Sequence, residues 1–246
     1  MLLSCCWRDA RKRSRSPGDS YAFTVSFVDT APAIGVKPRL RGVSHEVAFF
    51  VAVALAVLLG LKAEGAAGIS GAIVFGVSVA AMFGTSALYH RRTWSAPARR
   101  WMRRMDHAMI YTIIAGTYTP FALLVLHSSW KIVVLAVVWS GAGAAILLKM
   151  LWVDAPKWLA AVFGIALGWV GVIAAPQLFG GIGIAGSLLL IAGGVAYTVG
   201  AIVYARRWPD PFPAIFGYHE LFHALVIAAV ALQYAVVAFF VLPLGH

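Results

Sequence analysis

Histidine carries the chemistry legible in this sequence. His219 and His223 stand four residues apart in the string HELFH, and His90 closes an apolar run in SALYH, four residues after Ser86. On a helix, positions i and i+4 share a face, so the members of each pair project side by side. Three neutral imidazoles with no thiolate are the ligand set of a catalytic zinc site, whose fourth position stays open to water; a structural zinc is closed by four ligands. Zinc lowers the pKa of such a water to about 7. Asp106 would take its proton during attack on a carbonyl, and Ser86 would hold the water or the developing oxyanion. A lone histidine at a helix end is more often an interface or packing residue. The metal reading therefore rests on several of them meeting at one place.

Only nine Asp and Glu residues occur in the chain. Outside the loops and the N-terminal stretch, Glu46, Asp106 and Glu220 remain, at or inside the ends of apolar runs, where ionisable groups are costly and usually functional. Glu220 makes HELFH a match to H-E-x-x-H, the zinc-protease motif in which the Glu is general base. The only later histidine is His246, on the far side, so the third imidazole is expected from upstream, at His90. His107 points about 100° around its helix from Asp106. It, His45 and Glu46 are expected to support the ligands rather than to be ligands, and His127 and His246 to play no part.

The elements that position these residues must lie in a membrane. Of 246 residues, 61% are hydrophobic and 12% charged, against about 25% charged in a soluble domain, and the mean hydropathy is +0.85. Apolar runs at 44–62, 66–90, 106–127, 130–149, 157–176, 183–205 and 218–243 are each long enough to cross a bilayer. The sequence predicts an all-α integral membrane protein, with residues 1–40 a disordered basic cytoplasmic arm and residues 41–246 a seven-transmembrane helix bundle.

A net charge of +11 would suggest nucleic acid in a soluble protein, but here no nucleic-acid partner is expected. Eighteen of the twenty Lys and Arg fall in the N-terminal arm and the gaps after the second, fourth and sixth runs, leaving Lys62 and Lys131 on the other side. The positive-inside rule then puts the N-terminus in the cytoplasm and, with seven crossings, the C-terminus outside, in a multi-pass protein of the cell (inner) membrane. Residues 7–20 are polar where a signal peptide would be apolar. Cys5 and Cys6, the only cysteines, offer neither a disulfide framework nor a thiolate metal site. Gly164 with Gly168, and Gly193 with Gly194, are expected to let helices approach closely.

This topology decides which candidates can meet. The second run ends, and the first, third and seventh begin, at the cytoplasmic side, so Ser86, His90, Asp106, His219 and His223 share one depth.

At these residues the chain resembles the hemolysin III family, the bacterial branch of the progestin and adipoQ receptors, which include the adiponectin receptors. The resemblance covers about residues 38–243 and rests on PRLRGVSH before the first run, SALYH closing the second, DHAMIYTIIAGTYTPF opening the third and HELFH opening the seventh. It implies seven helices, a cytoplasmic N-terminus and a zinc ion held by His90, His219 and His223, with Ser86 and Asp106 at the remaining motif positions. Members of the wider superfamily, alkaline ceramidases among them, are viewed as zinc-dependent hydrolases of lipid amides, so the resemblance also implies a reaction class, though not a substrate. The N-terminal 37 residues depart from the short bacterial pattern, and the extended receptor domain of the animal members has no counterpart.

The leading expectation is a membrane-embedded, ceramidase-like zinc hydrolase of a lipid amide or ester, with a membrane lipid as substrate or ligand. The alternatives are a non-catalytic receptor or regulator of lipid homeostasis with structural zinc, an intramembrane protease acting through Glu220, and a cytolytic channel. The nearly all-apolar middles of the runs disfavour the channel. Substrate and oligomeric state are left open.

Overall fold

In lipid, a chain must satisfy its backbone polar groups internally, and long apolar segments do so as helices. The computed structural model describes residues 37–245; Cys5, Cys6, residues 1–36 of the expected arm and His246 lie outside the described residues. The helices are α1 (Val43–Lys62), α2 (Gly65–Arg91), α3 (Ala96–Leu124), α4 (Ser129–Leu151), α5 (Lys157–Gly168), α6 (Ala175–Arg206) and α7 (Tyr218–Val236). A 3₁₀ segment, Val170–Ala174, joins α5 to α6, and α7 runs on through a π segment, Val237–Val241, and a last 3₁₀ turn, Leu242–Gly245. Among the described residues there is no strand, only a bridge between Phe212 and Phe216.

Five helical stretches are long and apolar enough to cross a membrane: Val43–Lys62, Gly65–Arg91, Ser129–Leu151, Lys157–Arg206 and Tyr218–Gly245. They cover six of the seven expected runs, the fifth and sixth falling together in Lys157–Arg206. The third run lies in α3, which is not among the five and begins at Ala96 rather than at 106. Pro97 suits a first helical turn, and the good helix formers Arg99, Arg100, Arg103 and Arg104 extend the helix beyond its apolar part. This is an integral, multi-pass membrane protein. Its outer faces are apolar: Phe50 on α1 and Ile132 on α4 are 68% and 70% exposed, as suits contact with lipid rather than water. Half of the most apolar window of α2 is buried, against 17% for α1, so α2 lies inside. Each helix packs on the next, and α1 packs on α7, closing a ring.

Of the expected glycine pairs, Gly193 does admit a neighbour, since a Cβ there would lie 2.5 Å from Gln233 Nε2 and 3.4 Å from the Ala229 carbonyl of α7, and further close approaches occur at glycines outside the pairs. A Cβ on Gly116 of α3 would lie 2.3 Å from Ser78 Oγ of α2, and one on Gly76 of α2 would lie 2.7 Å from Ala56 Cβ of α1. Gly164 and Gly168 have nothing within 4 Å of such a Cβ; they line a cavity, described below, and leave space in it. Gly116→Val should therefore overpack the α2–α3 seam and cost about 2 kcal/mol, read as a lower melting temperature of detergent-purified protein. Gly143→Ala, whose added methyl group meets nothing within 4 Å, should be neutral. Equal melting of the two variants would contradict the seam.

Candidate metal centre

The first two turns of α7 present His219 and His223, and the start of the helix is held firmly. The Gly217 amide donates to Glu220 Oε2 at 2.9 Å, and the Tyr218 amide donates to Asp210 Oδ1 at 2.7 Å. Both satisfy amides that a helix start leaves unpaired. The Arg41 guanidinium pairs with the other Glu220 oxygen. Arg41 reaches it because the amides of Arg39 and Leu40, the end of the expected arm, donate to the Ala214 and Ile215 carbonyls at 3.1 and 3.2 Å. Gly42, with φ 82°, then turns the chain into α1, and a Cβ there would lie 2.6 Å from His90 Cβ. Only glycine suits both that conformation and that space. The Lys37 ammonium donates to the His90 carbonyl near the end of α2.

The end of α2 and the start of α7 bring the imidazoles together. His90 Nε2 and His219 Nε2 are 3.1 Å apart, and one nitrogen from each of His90, His219 and His223 lies within 4.8 Å of the others. His90 and His223 are buried, and His219 is half-buried. Two facing neutral nitrogens can share one proton, and a third adds another lone pair; a divalent cation takes all three. Zinc–nitrogen bonds of about 2.0–2.1 Å in tetrahedral geometry place ligand nitrogens roughly 3.4 Å apart; the His90–His219 pair is close to that spacing at 3.1 Å, with the His223 nitrogen within 4.8 Å of both. Asp106 Oδ2 is 3.9 Å from His90 Nε2, and Ser86 lies against the Asp106 carboxylate. Ser86, His90, Asp106, His219 and His223 thus share one site.

The remaining candidates separate. His45 stacks flat on His223, with ring centroids 3.8 Å apart and planes 7° from parallel. Neither of its ring nitrogens has a hydrogen-bond partner among the described residues, so it belongs to the cluster more closely than its position at the start of a run suggests. His107 lines the cavity beside Asp106. Glu46 does not join the site: it pairs with Arg91 at 2.7 Å, and both side chains are substantially exposed. Glu220 is buried but turned away, its oxygens held by Arg41 and the Gly217 amide. His127 is exposed beyond the far end of α3.

Next to the cluster opens a largely apolar cavity of about 350 Å³, within the range of small-molecule pockets. Its lining runs from His45, Asp106, His219 and His223 along α3 to Phe121 and Leu126, with α5, α6 and α7 contributing the other walls. No residue pattern announces such a space, because it is made by what several helices leave between them.

Residues 35–234 match the sequence model of a family described as Haemolysin-III related. The chain belongs to the haemolysin III family. Its relatives include the "Hemolysin-3 homolog" of Bacillus subtilis (strain 168), 33% identical over 167 residues, which are 68% of this chain and 75% of that protein. "Hemolysin-3" of Bacillus cereus is 33% identical over 171 residues, 69% of this chain and 74% of that one. The span matched to the haemolysin III family contains the whole histidine cluster, Asp106, Ser86 and the Arg41–Glu220 pair.

The tether makes a prediction of its own. Arg41→Ala strips a buried carboxylate of its cation and should destabilise the protein by about 3 kcal/mol, whereas Glu220→Gln removes the charge while keeping the shape and should cost less. Thermal unfolding in detergent distinguishes them, and Arg41→Ala melting with the wild type would contradict the tether.

Proposed function

We propose that this haemolysin III protein is a zinc-dependent hydrolase of a membrane lipid amide or ester, built on seven crossings with the N-terminus in the cytoplasm and the C-terminus outside, in the cell (inner) membrane. The observation that carries this reading is the convergence of three imidazoles beside Asp106 at one end of a long apolar cavity. Seven crossings are supported by length: Lys157–Arg206 has 50 residues, more than twice the ~20 that one crossing needs, and Gly183 breaks it with φ 66° and ψ −177°. The apolar part of α3 supplies the remaining crossing. The sidedness of Lys and Arg supports the orientation.

In this reading His90, His219 and His223 hold the metal, and the cavity holds a lipid chain so that its carbonyl rests beside Asp106. Bound zinc supplies a Lewis acid, which polarises the carbonyl and makes a water nucleophilic near neutral pH. Asp106 takes a proton from the attacking water and returns it to the leaving nitrogen or oxygen. Ser86 fixes the Asp106 carboxylate. His45, stacked on His223, restrains that ring, and the apolar walls exclude bulk water. Glu220, with both oxygens engaged, is a structural group, which weighs against the protease alternative.

Turnover separates this reading from a receptor or regulator with structural zinc. Purified protein should hydrolyse some members of a panel of lipid amides and esters. Asp106→Asn should lose about 10²–10⁴-fold in rate while keeping its metal, and Glu220→Gln should keep both. Full activity in Asp106→Asn would remove the base assignment, and loss in Glu220→Gln alone would favour the protease.

A further inference from the structure

Hydroxyls within these helices are mostly satisfied one turn back. Ser78, Thr112, Thr117, Thr119, Ser140 and Thr198 each donate to the carbonyl four residues earlier, the usual accommodation of a hydroxyl in apolar surroundings. Ser187 departs from this pattern. The carbonyl four residues before it belongs to Gly183, where the helical conformation breaks. Ser187 is 1% exposed, and its hydroxyl has no hydrogen-bond partner among the described residues.

Gln233 on α7 approaches the same place. Its Nε2 donates to the carbonyl of Leu190, one turn on from Ser187, at 3.2 Å, in space left by Gly193, where a Cβ would lie 2.5 Å from that nitrogen. Its Oε1 has no partner among the described residues, and the residue is 4% exposed. Ser187 and Gln233 both line the cavity. Unpaired polar atoms are costly in such a setting, and these two are complementary, one able to donate and the other only to accept.

We infer that Ser187 and Gln233 form a second binding station, which takes a hydroxyl carried partway along the chain of a lipid lying in the cavity. The ligand O–H donates to Gln233 Oε1, and the ligand oxygen accepts from the Ser187 hydroxyl, so one group satisfies both. Ten residues of α7 separate His223 from Gln233, about 15 Å of helix rise. The station therefore reads the middle of a chain whose carbonyl lies at the histidines. This selectivity rests on the reading of the cavity as a lipid site.

Oleic and ricinoleic acids, which differ only in a mid-chain hydroxyl, provide the test as competitors of a fluorescent fatty acid on the full chain in phosphatidylcholine nanodiscs. Wild type should bind ricinoleic acid tighter by roughly fivefold, the size of one net hydrogen bond. Gln233→Leu and Ser187→Ala should each abolish that preference while still binding oleic acid; Ser187→Ala removes a single oxygen and guards against a packing failure in the other variant. Equal affinity in wild type, as when water alone satisfies the station, or a preference surviving in both variants, would overturn the inference while leaving the lipid cavity standing. Binding of neither acid would remove the lipid cavity and the inference together.

Discussion

Imidazoles packed ring against ring in apolar surroundings are unfavourable unless something takes their lone pairs. His90 and His219 face each other at 3.1 Å, His223 lies against both, and His45 stacks on His223. Protonating more than one of these rings would set like charges side by side where water cannot screen them. A divalent cation would resolve the conflict by accepting several nitrogens at once, and it would make the cluster a source of binding energy instead of a cost. Much of the surrounding architecture serves to keep these rings together.

The cluster joins ends of α1, α2 and α7, which are not consecutive in the chain, so loops alone cannot hold it. The segment before α1 pairs its backbone with residues 214 and 215, Arg41 pairs with Glu220, Asp210 caps the start of α7, and Gly42 lets the chain turn against His90. These polar contacts gather at one end of the bundle, at the level of the rings. Away from that end the helices meet through small residues, apolar surfaces and scattered hydrogen bonds such as Tyr234 to the Leu55 carbonyl, and they leave between them a largely apolar cavity that has the histidines at one end and Ser187 and Gln233 farther along its lining.

Much of this was legible in the sequence. The i, i+4 spacing of His219 with His223 and of Ser86 with His90 fixed their faces, and alternating helix direction brought both pairs and Asp106 to one depth. What escaped the sequence depends on three-dimensional juxtaposition. Glu220 reads as a catalytic base in H-E-x-x-H, yet Arg41, far away in the chain, claims its carboxylate. His45 reads as a supporting residue and does stack on His223, but its position in the sequence does not say which ligand ring it touches. Gly164 and Gly168 read as packing residues because spacing does not distinguish a glycine that admits another helix from one that leaves a void. The Ser187 and Gln233 station needed the break at Gly183 to be seen. A lone amide in the last apolar run was the only signal available.

Whether His90, His219 and His223 hold a metal ion can be read by elemental mass spectrometry of detergent-purified protein, for wild type and for His219→Ala prepared identically. About one zinc per chain in wild type and almost none in a folded His219→Ala is the predicted result. Well-folded wild type that takes up no metal even when zinc is supplied, or an undiminished zinc content in His219→Ala, would contradict it.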